Sequence, residues 1–460
     1  MSSASHPMPW SGHLKATLVL GVPLVASHLA QMLVHLTDTI MVGWYGVDEL
    51  AAVVLASSIF FAFFIVGSGF AMAVMPMVAT AEGEGDKTQV RRVVRMGLWI
   101  SVFFSAVLMP VLWQFESLMI LIGQKPEIAA IAQDYMRIAQ WGMFPAMLIM
   151  VLKSYLSGLE RPAWVLWGTI IGALGNVLFN YAFIFGNWGA PELGVQGAAL
   201  ASVLTQTITF IVVALYAQFH RDFRGYQIFT RIWRSDWPAF NEVFRLGWPI
   251  GTTMLAEVGL FSFSAVMMGW VGTRELATHG IAIQIASMAF MIYLGLANTG
   301  TIRTGRALGR RDKVGIHRAT MTALALQLAT AAVMIAVFLL MPETLIGLFL
   351  DGSNPQSAAI VSYGVGLLVI GAAFQIVDGL QVVVLSVLRG LKDTKVPMLC
   401  AVISYWVVGV PVGYVLGFQL GFGGYGIWTG LVIGLALASV LLAWRYVVVI
   451  RRLEFLPASA

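Results

Sequence analysis

Long apolar runs separated by short polar segments dominate the sequence. Stretches such as Ile59–Val78, Leu98–Leu112 and Ala323–Met341 contain no charged residue. A helix needs about 20 such residues to cross a hydrocarbon core of about 30 Å. The pattern therefore predicts an all-α membrane protein with twelve transmembrane helices. They lie at 16–42, 49–78, 92–113, 131–156, 163–185, 194–218, 243–270, 275–302, 316–340, 359–388, 396–417 and 423–450.

The lysines and arginines concentrate on one side of the predicted membrane. If both termini are cytoplasmic, all of the 27 basic residues except Lys125, Arg137 and Arg274 lie in inner segments or at inner helix ends. The positive-inside rule describes this distribution, and one missed helix would scramble it. The net charge of +5 thus reflects topology, and we expect no nucleic-acid partner.

The amino-acid composition excludes a soluble globular protein. Only 11% of the residues are charged, against about 25% in soluble domains. Met1–Lys15 lacks the apolar core and cleavage site of a removed signal peptide, so we expect the first helix to serve as the insertion signal. Cys400 is the only cysteine, and the seven histidines show no metal-binding spacing. We therefore expect neither an enzyme nor a protein that holds a cofactor.

The two halves of the chain repeat one pattern. Gly21-Val-Pro-Leu-Val recurs 226 positions later as Gly247-Trp-Pro-Ile-Gly, and Met41-Val-Gly-Trp-Tyr-Gly recurs at the same offset as Met267-Met-Gly-Trp-Val-Gly. Because each half holds six predicted helices, both copies have the same orientation in the membrane. Parallel repeats of this kind place a substrate site at their interface. We therefore predict two parallel six-helix repeats around a central cavity.

The predicted domains follow from this repeat. An N-terminal six-helix lobe covers 14–217, and a C-terminal six-helix lobe covers 246–450. The charged segment 218–245 between them is a predicted cytoplasmic linker. Trp233 and Trp237 indicate that the linker carries a helix on the membrane surface.

Three acidic residues, Asp38, Glu257 and Asp378, lie well inside predicted helices. A charge in the hydrocarbon core is costly, so such a residue usually marks a functional site that faces a cavity. Glu257 is 12 residues from Arg245 and Asp378 is 11 residues from Arg389, which places both about 17 Å from the inner surface. Two carboxylates at one depth in a dry cavity can hold a proton near neutral pH or share a cation. An acid satisfied by a backbone or amide partner is the alternative for each one.

The first half carries a different polar group. Asp38 lies about 9 Å below the outer end of the first predicted helix, and Asn180 lies at a matching depth in the fifth. Asn176 and Asn180 are four residues apart and share one helix face. One carboxylate and two amide oxygens form a candidate cage for Na⁺, or a hydrogen-bonded proton site. Helix packing through the amides is the alternative for each asparagine alone.

Further candidates are polar, aromatic or methionine side chains that suit a substrate cavity. His28 and His35, seven residues apart in the first predicted helix, fit either a proton relay or a packed seam. Gln284, Met288 and Phe61 fit a pocket for flat hydrophobic ligands, although lipid-facing packing is the common fate of such residues. We take His35 together with these three as cavity candidates.

Seven short motifs between about residue 14 and residue 450 are specific in combination. They are Thr37-Asp-Thr-Ile-Met-Val-Gly, Asn180-Tyr-Ala-Phe-Ile-Phe-Gly, Gly189-Ala-Pro-Glu-Leu-Gly, Ala256-Glu-Val, Asp378-Gly-Leu-Gln, Leu388-Arg-Gly-Leu-Lys-Asp-Thr and Gly426-Ile-Trp-Thr-Gly-Leu. Together they resemble the multidrug and toxic compound extrusion (MATE) transporters, most closely the bacterial NorM-type branch. The chain departs from that pattern at Gly280, where the family usually has a glutamine.

The resemblance implies efflux of cationic, amphipathic drugs in exchange for inward Na⁺ or H⁺ across a bacterial inner membrane. It also implies a V-shaped twelve-helix protein whose cavity alternates its access. By the same resemblance Asp38, Asn176 and Asn180 form one cation or proton site, and Glu257 and Asp378 form another. Na⁺ at the first of these sites is the only metal that we predict. We expect a monomer whose partners are small organic cations and the lipid bilayer.

Three rival functions fit the sequence less well. A flippase for lipid-linked or other organic substrates would favour basic residues inside the cavity, and no lysine or arginine lies mid-span. A membrane-embedded enzyme would need metal-ligand spacing or acidic loops at one membrane face. A channel would not need paired carboxylates. The coupling ion stays open between Na⁺ and H⁺.

Overall fold

The computed structural model describes residues 8–350 and 357–453. Twelve helices in this part of the chain are long and apolar enough to cross a membrane. They are α1 (Trp10–Tyr45), α2 (Val47–Glu84), α3 (Lys87–Trp113), α4 (Pro126–Gly158), α5 (Pro162–Phe185), α6 (Gly194–Phe219), α7 (Trp237–Val271), α8 (Thr273–Gly309), α9 (Lys313–Leu340), α10 (Ser357–Gly390), α11 (Lys395–Gln419) and α12 (Gly423–Arg452). The prediction of an all-α protein with twelve spanning helices is confirmed.

Two of these helices are interrupted. A 3₁₀ turn at Gln140–Gly142 divides α4, and π-helical turns occur in α11 at Ile403–Gly409 and Val415–Gln419. Two short helices, Phe115–Leu121 and Pro342–Gly347, precede α4 and follow α9. A π-helical turn changes the direction in which side chains point and often occurs at a functional site. The side chains of α11 therefore do not follow the usual helical periodicity.

Helix contacts divide the chain into two compact units. The first unit is Ala26–Gly251, and the second unit combines Met1–Val25 with Thr252–Ala460. The boundaries fall inside α1 and α7, just after Pro23 and Pro249. They are 226 positions apart, which is the offset of the sequence repeat. The predicted lobes 14–217 and 246–450 and the linker 218–245 divide the chain differently and stay predictions.

One glycine in each unit permits a close helix crossing. In the first unit, a Cβ at Gly69 of α2 would lie 2.5 Å from the Cα of Gly251 in α7. In the second unit, a Cβ at Gly295 of α8 would lie 2.8 Å from the Cα of Val25 in α1. The two pairs are related by the same 226-residue offset, so both units use the same crossing. A larger residue would displace a backbone at either position.

We expect Gly69→Ala and Gly295→Ala each to destabilise the protein by about 1–3 kcal/mol, because the added methyl group meets backbone atoms that cannot rotate away. Gly280→Ala is the matched control on α8, since no atom lies within 4 Å of a Cβ at that position. Thermal unfolding of the detergent-solubilised protein measures the effect. Equal unfolding temperatures for Gly295→Ala and Gly280→Ala would contradict the crossing.

The segment between α6 and α7 forms consecutive turns rather than a helix. The predicted surface helix is therefore wrong, although Trp233 and Trp237 are exposed. Neighbouring helices supply some hydrogen bonds to this segment, because Arg95 and Trp99 of α3 donate to the carbonyl oxygens of Arg231 and Ile232. The side chains of Phe223, Tyr226 and Ile228 are buried and attach the turns to the first unit.

An ion pair attaches the end of the segment between α6 and α7 to α3. The Arg92 guanidinium donates to Asp236 at 2.5 and 3.0 Å, and these hydrogen bonds hold the pKa of Asp236 below its ordinary value. The pair therefore stabilises the fold above pH about 4, and this contribution is lost as the pH falls further.

We expect Asp236→Asn to weaken the attachment of residues 220–236 by about 1 kcal/mol at neutral pH, a modest effect because Arg92 is partly exposed. Hydrogen exchange of that segment should then be roughly fivefold faster. Wild-type protein should show the same acceleration, relative to intrinsic exchange rates, only below about pH 4. Unchanged protection in the variant would mean that other contacts hold the segment.

Candidate functional site

The structure brings together the three residues predicted for the first half. Asn180 Nδ2 on α5 donates to Asp38 Oδ1 on α1 at 2.6 Å and to Asn176 Oδ1 at 3.1 Å. Both asparagines are buried, and Asp38 is partly exposed. The short bond to Asp38 is typical of a charged acceptor. In this arrangement an ionised Asp38 is satisfied by the amide of Asn180.

The same three residues can also form a cation site. Asn180 Oδ1 is buried and has no hydrogen-bond partner in the part of the chain that the structure describes. A half-turn of this amide would place its oxygen where its nitrogen now lies, next to an oxygen of Asp38 and the side-chain oxygen of Asn176. Oxygen ligands of this kind suit a hard cation such as Na⁺.

Tyr135 on α4 lies beside this first site and has no distinguishing signal in the sequence. It packs against a cluster that includes Met41 and Ile184, which lie one turn from Asp38 and Asn180. Tyrosine is common near both surfaces of a membrane, so its presence in a spanning helix does not by itself indicate a site.

The second site contains the two acids predicted for the second half. Glu257 on α7 and Asp378 on α10 lie within electrostatic reach of each other, and Asp378 is only 1% exposed. One oxygen of each, Glu257 Oε1 and Asp378 Oδ1, is buried and has no hydrogen-bond partner among the described residues. Unpartnered buried carboxylate oxygens are costly, and a proton or a cation would remove that cost.

Tyr405 on α11 is a candidate for a third oxygen near the second site. Its side chain is fully buried, and its hydroxyl has no hydrogen-bond partner in residues 8–350 and 357–453. It packs with Leu260 and Phe374, which share helix faces with Glu257 and Asp378 because they lie three or four residues away. The hydroxyl is also within electrostatic reach of both acids.

The π-helical turn Ile403–Gly409 explains why the sequence does not predict this role. Its Trp406 Nε1 donates to the carbonyl oxygen of Ala256 on α7 at 3.1 Å, beside Glu257. This bond fixes the irregular turn against the helix that carries the acid. Because the turn does not follow the 3.6-residue period, sequence periodicity cannot place Tyr405 on the site face.

A guanidinium accompanies the two acids. Arg389, which the sequence places at the inner end of α10, is buried and lies within electrostatic reach of Glu257. It offsets part of the negative charge of the pair.

The residues proposed for a substrate cavity are distributed over both units. His35 and Phe61 are exposed in the first unit, on α1 and α2. Gln284 and Met288 lie one turn apart on α8 in the second unit, where Met288 is exposed. An exposed side chain is compatible with contact to lipid as well as with a position in a cavity. The role of these four residues therefore stays a prediction.

His279, next to the unusual Gly280, has a packing partner. Trp428 Nε1 on α12 donates to His279 Nδ1 at 3.0 Å, and both side chains are buried. An indole N–H can only donate, so His279 Nδ1 carries no proton here. This bond links α8 to α12 within the second unit.

Comparison with known proteins agrees with the repeat. The family model MatE matches the chain twice, over residues 23–182 and 249–415. The two matches begin 226 positions apart, which is the offset found in the sequence.

Sequence similarity to proteins of known family extends over nearly the whole chain. A probable multidrug resistance protein NorM of Rhizobium meliloti is 47% identical over 98% of this chain and 97% of its own length. A protein of the same name from Agrobacterium fabrum is 44% identical over 96% of this chain and 95% of its own.

Solved structures share the fold. One is an outward-facing multidrug resistance MATE family transporter, with a TM-score of 0.85 and 23% identity over 95% of this chain and 96% of that one. Another is a MOP superfamily transporter from Pyrococcus furiosus, with a TM-score of 0.86 and 22% identity over 96% of this chain and 97% of that one. The family model and the relatives together establish that this chain belongs to the MatE family of multidrug and toxic compound extrusion transporters, in its NorM branch.

Proposed function

We propose that this chain is a secondary active antiporter that exports cationic, amphipathic drugs in exchange for inward Na⁺ or H⁺. The curated relatives that match almost its full length are named probable multidrug resistance proteins. The observation that carries the mechanism is the acid pair Glu257 and Asp378, in which each side chain has a buried oxygen without a partner. Ionisable pairs inside spanning helices serve ion and substrate pathways.

In the proposed cycle, drug and coupling ion compete for negative charge. Each is a cation that compensates the same carboxylates, so binding of one weakens binding of the other by an equal factor. The ion-bound and drug-bound states prefer opposite openings of the cavity. Export then follows when an ion that enters down its gradient displaces the drug on the outer side.

We assign the coupling ion first to the second site. The oxygens of Glu257, Asp378 and Tyr405 include several without a donor, whereas the Asn180 amide already satisfies Asp38. Asp38, Asn176 and Asn180 then act as a second cation or proton site, which is open to Na⁺ after rotation of the amide.

The remaining assignments follow from charge and family. We propose a monomer in a bacterial inner membrane with both termini in the cytoplasm, because the basic residues concentrate on one side of the twelve helices. His35, Phe61, Gln284 and Met288 are proposed to contact the drug. No cofactor is proposed besides the coupling ion.

A flippase for lipid-linked or other organic substrates is the alternative. The Pyrococcus furiosus transporter with the same fold is described as having a binding pocket of reverse polarity, which suggests a different function. Pocket polarity therefore discriminates between functions on this fold. The carboxylates of both sites here favour a cationic substrate.

Ethidium export from bacterial cells that lack their own drug efflux tests this function. We expect expression of the chain to lower ethidium accumulation, and collapse of both the Na⁺ and the pH gradient to abolish the effect. Asp38→Asn, Glu257→Gln and Asp378→Asn should each lose export. Survival of export in all three variants would remove the carboxylates from the mechanism, and no export by membrane-inserted wild-type protein would refute drug efflux.

Tyr405→Phe should weaken binding of the coupling ion about 5- to 30-fold, because it removes one oxygen from a dry site. The Na⁺ concentration or the pH at half-maximal export should shift, while drug affinity without the ion stays unchanged. Tyr414→Phe is the control, since Tyr414 lies on the same helix but is exposed. Equal midpoints in the two variants would exclude Tyr405 from the site.

A further inference from the structure

The arginines around the segment between α6 and α7 fall into two groups. We call residues 220–236 the basic linker. Its two acids, Asp222 and Asp236, contact Arg161 at 3.1 Å and Arg92 at 2.5 Å, which lie outside the linker. The linker's own arginines are all exposed, and none forms an ion pair within the described part of the chain; they are Arg221, Arg224, Arg231 and Arg234. Their guanidinium groups are therefore open to a negatively charged partner.

The basic linker is held in one conformation. The Tyr226 hydroxyl donates to Glu82 of α2 at 2.6 Å, and Trp99 Nε1 of α3 donates to the Ile232 carbonyl oxygen at 2.7 Å. Arg231 has a φ of 53°, a left-handed conformation that a non-glycine residue keeps only where its surroundings impose it. The four arginines are therefore presented on a fixed surface.

Aromatic side chains place this surface at the boundary between membrane and water. Phe219 ends α6 and Trp237 begins α7, and both are exposed. Trp233, between the exposed arginines, is 76% exposed. Tryptophan is enriched at the level of the lipid headgroups. The exposed tryptophan therefore supports a position of the linker arginines near the lipid headgroups.

We propose that the basic linker binds the phosphate groups of anionic phospholipids in the adjacent leaflet. Guanidinium groups pair with phosphate oxygens through two parallel hydrogen bonds, and basic clusters beside a spanning helix attract anionic lipid. The exposed tryptophans favour lipid over a soluble acidic partner, because an indole gains from partial insertion in the bilayer interface. The bound lipid supplies the negative charge that the linker lacks.

Lipid retention by the purified full-length protein tests this proposal. Phosphatidylglycerol and, separately, phosphatidylcholine are titrated into the protein, and bound lipid is counted by native mass spectrometry. The variant R221Q/R224Q/R231Q/R234Q should need about tenfold more phosphatidylglycerol for equal occupancy, with phosphatidylcholine unaffected. The matched control R310Q/R311Q/R451Q/R452Q removes four exposed arginines from other helix ends and should bind like wild type.

Two outcomes would overturn the proposal. An equal loss in both variants would mean that overall charge retains the lipid. Displacement of phosphatidylglycerol by an equal concentration of inorganic phosphate would assign a site for soluble phosphate instead. Should the fourfold variant unfold, the pairs R221Q/R224Q and R231Q/R234Q give the same comparison against R310Q/R311Q.

Discussion

Asp378→Asn is expected to separate drug binding from the coupling ion. In the wild-type protein, saturating ion should weaken drug affinity about 5- to 150-fold, the usual range for two coupled ligands. With an amide in place of this buried carboxylate, the second site keeps only the carboxylate of Glu257, which lies near the Arg389 guanidinium, so the ratio should fall towards one. Glu257→Gln should act in the same direction, because the two acids form a pair. Drug affinity of purified protein, measured with and without Na⁺ and at two pH values, shows the effect.

Glu127→Gln is the control for this experiment. Glu127 is an exposed acid in the first turn of α4, so its loss should leave the affinity ratio unchanged. Unfolding temperature and gel filtration establish that the site variants are folded. A folded Asp378→Asn protein that keeps the full ion-dependent change in drug affinity would show that coupling occurs elsewhere.

Asn180→Leu is expected to inactivate the first site while the helices stay in place. Leucine has a similar volume but offers no donor to Asp38, which now receives a hydrogen bond of 2.6 Å. A hydrogen bond to a charged group is worth about 1.5–3 kcal/mol, and its loss leaves a carboxylate poorly satisfied. The rate of drug export should therefore fall roughly 10- to 150-fold.

Asn241→Leu is the matched substitution for this second experiment, since Asn241 is exposed near the start of α7. It should export drug at the wild-type rate. Asn180→Asp provides a further comparison, because it keeps the shape but replaces the donor by a second negative charge. Normal export by Asn180→Leu would mean that Asp38 does not need the amide, and the first site would then be a packing contact.

The twelve spans and the acid pair could be predicted because both depend on simple periodic quantities. Apolar length and the position of charge define the spans. The constant rise of a helix places Glu257 and Asp378 at one depth, and the structure indeed brings them within electrostatic reach. Asp38 and Asn180 could be matched by the same counting, and they form a hydrogen bond.

The helix crossing could not be predicted from the repeat. Gly69 and Gly295 occupy equivalent positions of the 226-residue repeat, and so do Val25 and Gly251. Where two copies of a repeat share one pattern, the local sequence does not show whether a helix packs against helices of its own copy or against helices of the other copy. Only the contacts show that the start of α1 belongs to the second unit and the start of α7 to the first unit.

The features of the two sites that the sequence does not predict were missed for a different reason. Tyr405 reaches the acids from a π-helical turn, where the regular period used to read a sequence does not apply. The orientation of the Asn180 amide depends on neighbours from another helix, so sequence predicts three polar residues but not which atom faces which. Arg389 was assigned to a helix end by counting, and burial by neighbouring helices makes it part of the second site.

Drug-driven counterflow in proteoliposomes tests the central claim of antiport most directly. Purified protein is reconstituted, and a Na⁺ gradient and a pH gradient are imposed separately while ethidium movement is followed. We predict that one of the two gradients drives ethidium against its own gradient, and that an ethidium gradient moves the same ion in the opposite direction. Ethidium movement that follows only its own gradient under both conditions would contradict antiport.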